Sequence, residues 1–127
     1  MSKGTRIERY VDEVLLGGFQ DLVMASEVAS IVSESTGSST TDEDSIQTSL
    51  DVIRTLLEDR LAEVGDAVLA EGGKSVVFRP WSMSTDEALR RIEREWRRLP
   101  NGPNLGDVCW FRLTDRGRRR AEDIGRR

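Results

Sequence analysis

The chain has 127 residues, 37% hydrophobic and 33% charged, with 19 basic against 23 acidic side chains and a net charge of −4. That length suits one domain burying roughly two thirds of its unfolded surface around a single core. Histidine is absent and cysteine occurs once, at Cys109, which excludes imidazole general bases, Ser-His and Cys-His couples, His-ligated zinc and an intramolecular disulfide.

No apolar run approaches the ~20 residues of a membrane-crossing helix. Met1-Ser2-Lys3-Gly4-Thr5-Arg6 leads into charge rather than an apolar signal core, so a cytoplasmic protein with no membrane partner is expected. No cofactor or metal is expected either.

In chain order, Ile7, Val11, Val14 and Leu15 recur at helical spacing and Gly17-Gly18 ends the run, predicting a first helix from Thr5 to Leu16. Phe19 to Val23 is an apolar connection with the length of a small strand. Ser26 to about Ser35 predicts a second helix with Val28, Ile31 and Val32 inward. Ser35 to Thr41 is polar, has nothing to bury, and predicts a flexible loop over 35–41. Thr40-Thr41-Asp42-Glu43 offers a capping box, and Ile46, Leu50, Ile53, Leu57 and Leu61 form the inward stripe of a third helix from Asp42 to Arg60.

Val64-Gly65-Asp66 and Gly72-Gly73 carry turn chemistry around a short Ala67 to Ala70 segment. Ser75 to Arg79 then reads as a strand stopped by Pro80. Ser84-Thr85-Asp86-Glu87 starts a capped fourth helix with Leu89, Ile92, Trp96 and Leu99 on one side and Arg90, Arg91, Arg94, Arg97 and Arg98 on the other. Asn101 to Asn104 turns the chain into a strand over Val108 to Leu113, expected to pair antiparallel with 75–79. Thr114 caps a closing helix from Asp115 to about Ile124.

The phrases Leu56-Leu57-Glu58-Asp59-Arg60-Leu61-Ala62-Glu63-Val64-Gly65 and Phe111-Arg112-Leu113-Thr114-Asp115-Arg116-Gly117 resemble the recognition-helix exit and the last-strand-to-closing-helix passage of winged-helix (winged helix-turn-helix) domains. The likeness covers roughly residues 5 to 125. With Phe78-Arg79-Pro80-Trp81 and the extra helix, the chain further resembles small bacterial proteins of this type. The resemblance implies an α+β fold over 1–127: three N-terminal helices, a small antiparallel hairpin carrying residues 80–107 as an insertion, and a closing helix. Its usual function would be DNA binding, with the third helix in the major groove and the wing against the backbone.

Charge opposes that function at the third helix. From Asp42 to Glu63 there are seven acidic and two basic residues, whereas phosphate neutralisation by Lys and Arg drives most non-specific DNA binding. Residues 1–75 carry six basic and fifteen acidic residues; 76–127 carry thirteen basic and eight acidic.

Two functions are therefore kept. The first is a non-enzymatic protein-interaction module, such as an immunity-protein-like or antitoxin-like inhibitor or an adaptor. It would bind a basic protein partner through Asp42, Asp44, Asp51, Glu58 and Trp81. The second is a winged-helix transcriptional regulator contacting DNA through Arg94, Arg97, Arg98, Arg118 and Arg119, in a region that also holds Arg116 and Arg120. A solvated face in which these arginines pair with acids is the plainer alternative for the basic residues. Trp96 is expected in the core. Trp81 is balanced between an interface and packing under the fourth helix, and the first helix offers a homodimer seam.

Enzymatic readings are weak. Glu93 with Glu95, or Asp42 with Asp44, point about 200° apart on a helix, and Gly72-Gly73-Lys74-Ser75 lacks phosphate-loop spacing. Cys109, within an apolar strand, is expected as a buried small hydrophobe.

Overall fold

The computed structural model describes residues 3–19, 22–70, 72–73, 75–104 and 107–126. Five helices and four strands follow in the order α1 (Lys3–Gly17), β1 (Val23–Met24), α2 (Ala25–Thr36), α3 (Glu43–Glu58), β2 (Ala62–Leu69), β3 (Val76–Pro80), α4 (Thr85–Arg97), β4 (Trp110–Leu113) and α5 (Asp115–Gly125). The class is α+β, with one antiparallel sheet of strand order β1-β4-β2-β3. Among the described residues no helix is long and apolar enough to cross a membrane.

The helical periods place the core. Tyr10, Val11, Val14 and Leu15 of α1, Val28 and Val32 of α2, and Ile53 and Leu56 of α3 are buried together with Phe111 of β4. α1 packs against α2, α3 and α5, while α4 packs against α3. Ala88, Leu89, Ile92 and Trp96 form the buried stripe of α4, so the fourth helix is part of the core. Phe111 and Leu113 are the inward set of β4, and Cys109, immediately before it, is turned inward as well; all three are nearly inaccessible. Trp110 and Arg112 form the half-buried opposite set, whereas Val108, expected on that face, lies ahead of the strand and packs against the core.

Two capping expectations hold. Ser84 Oγ accepts from Glu87 N at 3.2 Å and Thr114 Oγ1 accepts from Gly117 N at 3.1 Å. A third does not. The cap residue of α3 is Asp42, with no side-chain bond to the helix, and no Thr40 box forms. Asp42 Oδ2 instead accepts from Ser39 N at 3.2 Å, closing the preceding turn. α2 extends through Thr36 and ends on Gly37 at φ 71°, a left-handed cap that glycine adopts without a Cβ clash. Thr40 Oγ1 donates to Asn101 O at 3.4 Å, so the segment after α2 touches the chain beyond α4.

The strand pairing differs from expectation. Residues 76–80 do not pair with the last strand; they pair with β2, Ala67 opposite Phe78 and Leu69 opposite Val76. β2 is a full eight-residue strand that also pairs β4, Gly65 opposite Trp110. Gly65 falls mid-strand because a Cβ there would collide with Arg79 O and the Phe78 ring; its glycine marks a close backbone approach, not a turn.

Candidate protein-interaction and nucleic-acid surfaces

The seven-residue spacing of Asp44, Asp51 and Glu58 brings them to one side of α3. Asp44 and Glu58 are exposed and Asp51 is half-buried, where it accepts from Gln47 Nε2 at 3.0 Å. Asp42 is also exposed but is occupied with the Ser39 turn. Opposite this ridge, Ser49, Val52, Ile53 and Leu56 are buried, so the acidic side is what α3 presents outward.

One flank of that ridge is occupied by α4. Arg97 donates through Nη1 and Nη2 to the two carboxylate oxygens of Glu43, at 2.8 and 3.0 Å, and through Nε to Glu93 at 2.9 Å. The hydrogen bond from Arg97, assisted by its charge and opposed by slight burial, holds the Glu43 carboxyl below its usual range; the same bonds raise the Arg97 pKa. Leu50 and Leu89, both almost fully buried, floor a cleft of about 200 Å³ between the two helices, with Arg54 and Arg90 on its walls. The sequence pattern contains no sign of this clamp, because Glu43 and Arg97 lie 54 positions apart.

Trp81 is engaged with α4. The Arg91 guanidinium lies 3.9 Å from its ring centroid, its backbone N–H donates to Val64 O, and it packs against the core. The structure thus brings Asp44, Asp51 and Glu58 together and leaves Trp81 out of that set.

The arginines divide between paired and unpaired. Arg97 is committed to Glu43 and Glu93, Arg91 to Glu95 at 2.7 Å, and Arg120 to Glu8 and Asp12 of α1 at 2.6 and 2.9 Å. Burial lowers the Arg120 pKa, but its two carboxylate partners outweigh this and leave it raised. Arg118 only approaches Asp115, at 3.9 Å, and Arg119 Nε donates weakly to Asp115 O at 3.4 Å. Arg90 and Arg94 of α4 and its C-cap residue Arg98 are exposed, lie about one turn apart, and have no ion pair among the described residues. α4 rests on α3 and α5 on α1, so the two arginine sets belong to elements docked on different helices.

Nothing among the described residues groups three or more potential metal ligands. Cys109 is buried, and burial pushes its thiol pKa far up, which suppresses the reactive thiolate. In comparisons with known proteins, no family model matches the chain, and neither a curated protein nor a solved structure matches it.

Proposed function

We propose that the chain is a cytoplasmic, non-enzymatic protein-interaction module of winged-helix type, which binds a basic protein partner through the acidic ridge of α3. The observation that carries this reading is the outward alignment of Asp44, Asp51 and Glu58 beside a helix already occupied on one flank by α4. A lone helix of 10–12 Å diameter fills a major groove about 12 Å wide. With α4 strapped alongside, α3 is too broad to enter such a groove, and its carboxylates would face phosphates. A partner with Lys and Arg would instead be steered toward the ridge. The winged-helix assignment is supported by the order α1-β1-α2-α3-β2 and by β4 lying between β1 and β2, with β3 and α4 inserted between the second and third strands of such a sheet.

The test is a charge reversal, Asp44→Lys with Asp51→Lys and Glu58→Lys, in the full chain. Chemical crosslinking in the source cell, followed by purification, is expected to recover a basic partner with the native chain and to lose it with the variant. Recovery of the same partner by both sinks the assignment of the ridge.

A regulator reading has one specific observation in its favour, the stripe Arg90, Arg94 and Arg98, which has no ion pair among the described residues. Titration with random duplex DNA separates the two. Tight association at ~50 mM salt that weakens steeply as salt rises, and that is lost on replacing those three arginines by Gln, favours the regulator.

A further inference from the structure

β2 is longer than β4. Their pairing ends at Gly65 opposite Trp110, while β2 continues through Leu69 with β3 on its other side only. The chain does not prolong β4 in the other direction, because Val108 sits at φ 70°, outside the extended region, and turns it out of the strand line.

The ladder shows which backbone groups this leaves open. Ala70 N donates to Ser75 O and Trp81 N to Val64 O, so even-numbered residues of β2 turn toward β3; Thr114 N donates to Leu61 O, so odd-numbered ones turn toward β4. Ala67 and Leu69 therefore direct two N–H and two C=O groups toward the side where β4 has ended, and no backbone bond reaches them from that side among the described residues. The same place is a groove of about 770 Å³, walled by Leu22, Met24, Glu27 and Trp110 as well as by Ala67 and Leu69. Leu69 is 70% exposed. Glu27 is the single ionisable residue of the lining; its Oε1 accepts from Met24 N at 3.4 Å, and it has no ion pair among the described residues.

We infer that this notch is a second recognition site, in which an extended segment of a partner protein, alternating apolar residues with Lys or Arg, completes the sheet beside Ala67–Leu69. Backbone pairing in register with β4 would supply affinity, apolar side chains would cover Trp110 and Leu22, and a cation would meet Glu27. The site is separate from the α3 ridge and holds whether or not that ridge binds a partner.

The test pans a random heptapeptide display library over the full chain and resynthesises the enriched peptides. The expected result is enrichment of sequences with apolar residues at every second position and at least one Lys or Arg between them. Those peptides should slow amide exchange of Ala67 and Leu69 at least tenfold, bind at least tenfold more weakly when N-methylated at alternate residues, and lose several-fold affinity to Glu27→Gln. Failure to enrich any sequence overturns the inference. So does protection centred on the outer edge of β3, at Val76 and Phe78, or concentration-dependent protection of Ala67 and Leu69 without peptide, which would identify a second copy of the chain as the occupant.

Discussion

Arg97 grips Glu43 through two terminal nitrogens, fastening the last turn of α4 to the first turn of α3. The contact is solvent-exposed on the Glu43 side, where the carboxylate retains 70% of its accessibility, so it orients the helices more than it stabilises them. The apolar stripe Leu89, Ile92 and Trp96 carries the docking itself.

A carboxyl whose folded-state pKa is depressed stabilises the fold above its unfolded value and loses that contribution as pH falls through the folded one. Glu43 is lowered from an ordinary value of 4.5 by the Arg97 hydrogen bond. The clamp is therefore complete at neutral pH and weakens only in acid below the ordinary glutamate range. Carboxyl-carbon NMR titration should show Glu43 titrating below the ordinary glutamate value of 4.5, and Arg97→Gln should move it back up toward that value; an unchanged titration contradicts the bidentate contact.

Trp96 is 1% exposed, and truncating a large buried aromatic costs about 3–5 kcal/mol. Trp96→Ala is expected to lower the unfolding free energy by that amount, which moves the denaturant midpoint down in proportion, and to release α4 from α3. If α4 were a peripheral appendage, the variant would unfold at nearly the native midpoint, which urea titration followed by circular dichroism would reveal.

Gly117, in the first turn of α5, lies against the backbone of Leu61, and a Cβ there would collide with the Leu61 carbonyl. Because backbone cannot swing aside as a side chain can, Gly117→Ala should destabilise by about 1–3 kcal/mol through overpacking. Alanine's helix propensity returns at most ~1 kcal/mol of this, so the net effect is a destabilisation of up to about 2 kcal/mol. A stabilised variant in thermal unfolding would show that α5 is not seated on the β2 entry.

Cys109 is 1% exposed and its thiol is raised by burial. Ellman's reagent should react with it only at the rate of unfolding, so labelling should accelerate sharply in denaturant and in Trp96→Ala. Rapid labelling of the native chain at neutral pH would contradict the inward face of the last strand.

The helices were legible because each carries its own evidence: a 3.6-residue apolar period and local caps such as Ser84 and Thr114. The acidic ridge was legible for the same reason, since residues seven apart share a helix face whatever surrounds them. β2 was not. Gly65-Asp66 imitates a turn, and only the approach of Arg79 and Phe78 shows that the glycine makes room for a neighbouring strand.

By itself, then, the sequence determined the helical segments, the division of charge between the chain's halves and the absence of histidine chemistry. Which strand lies beside which, and that α4 straps onto α3, only the tertiary structure decided. Strand partners are chosen by hydrogen bonds between residues far apart in the chain, as Glu63 and Arg112 illustrate, and no local pattern encodes them. The notch beside Ala67 and Leu69 is of that second kind, arising from the difference in length between two paired strands.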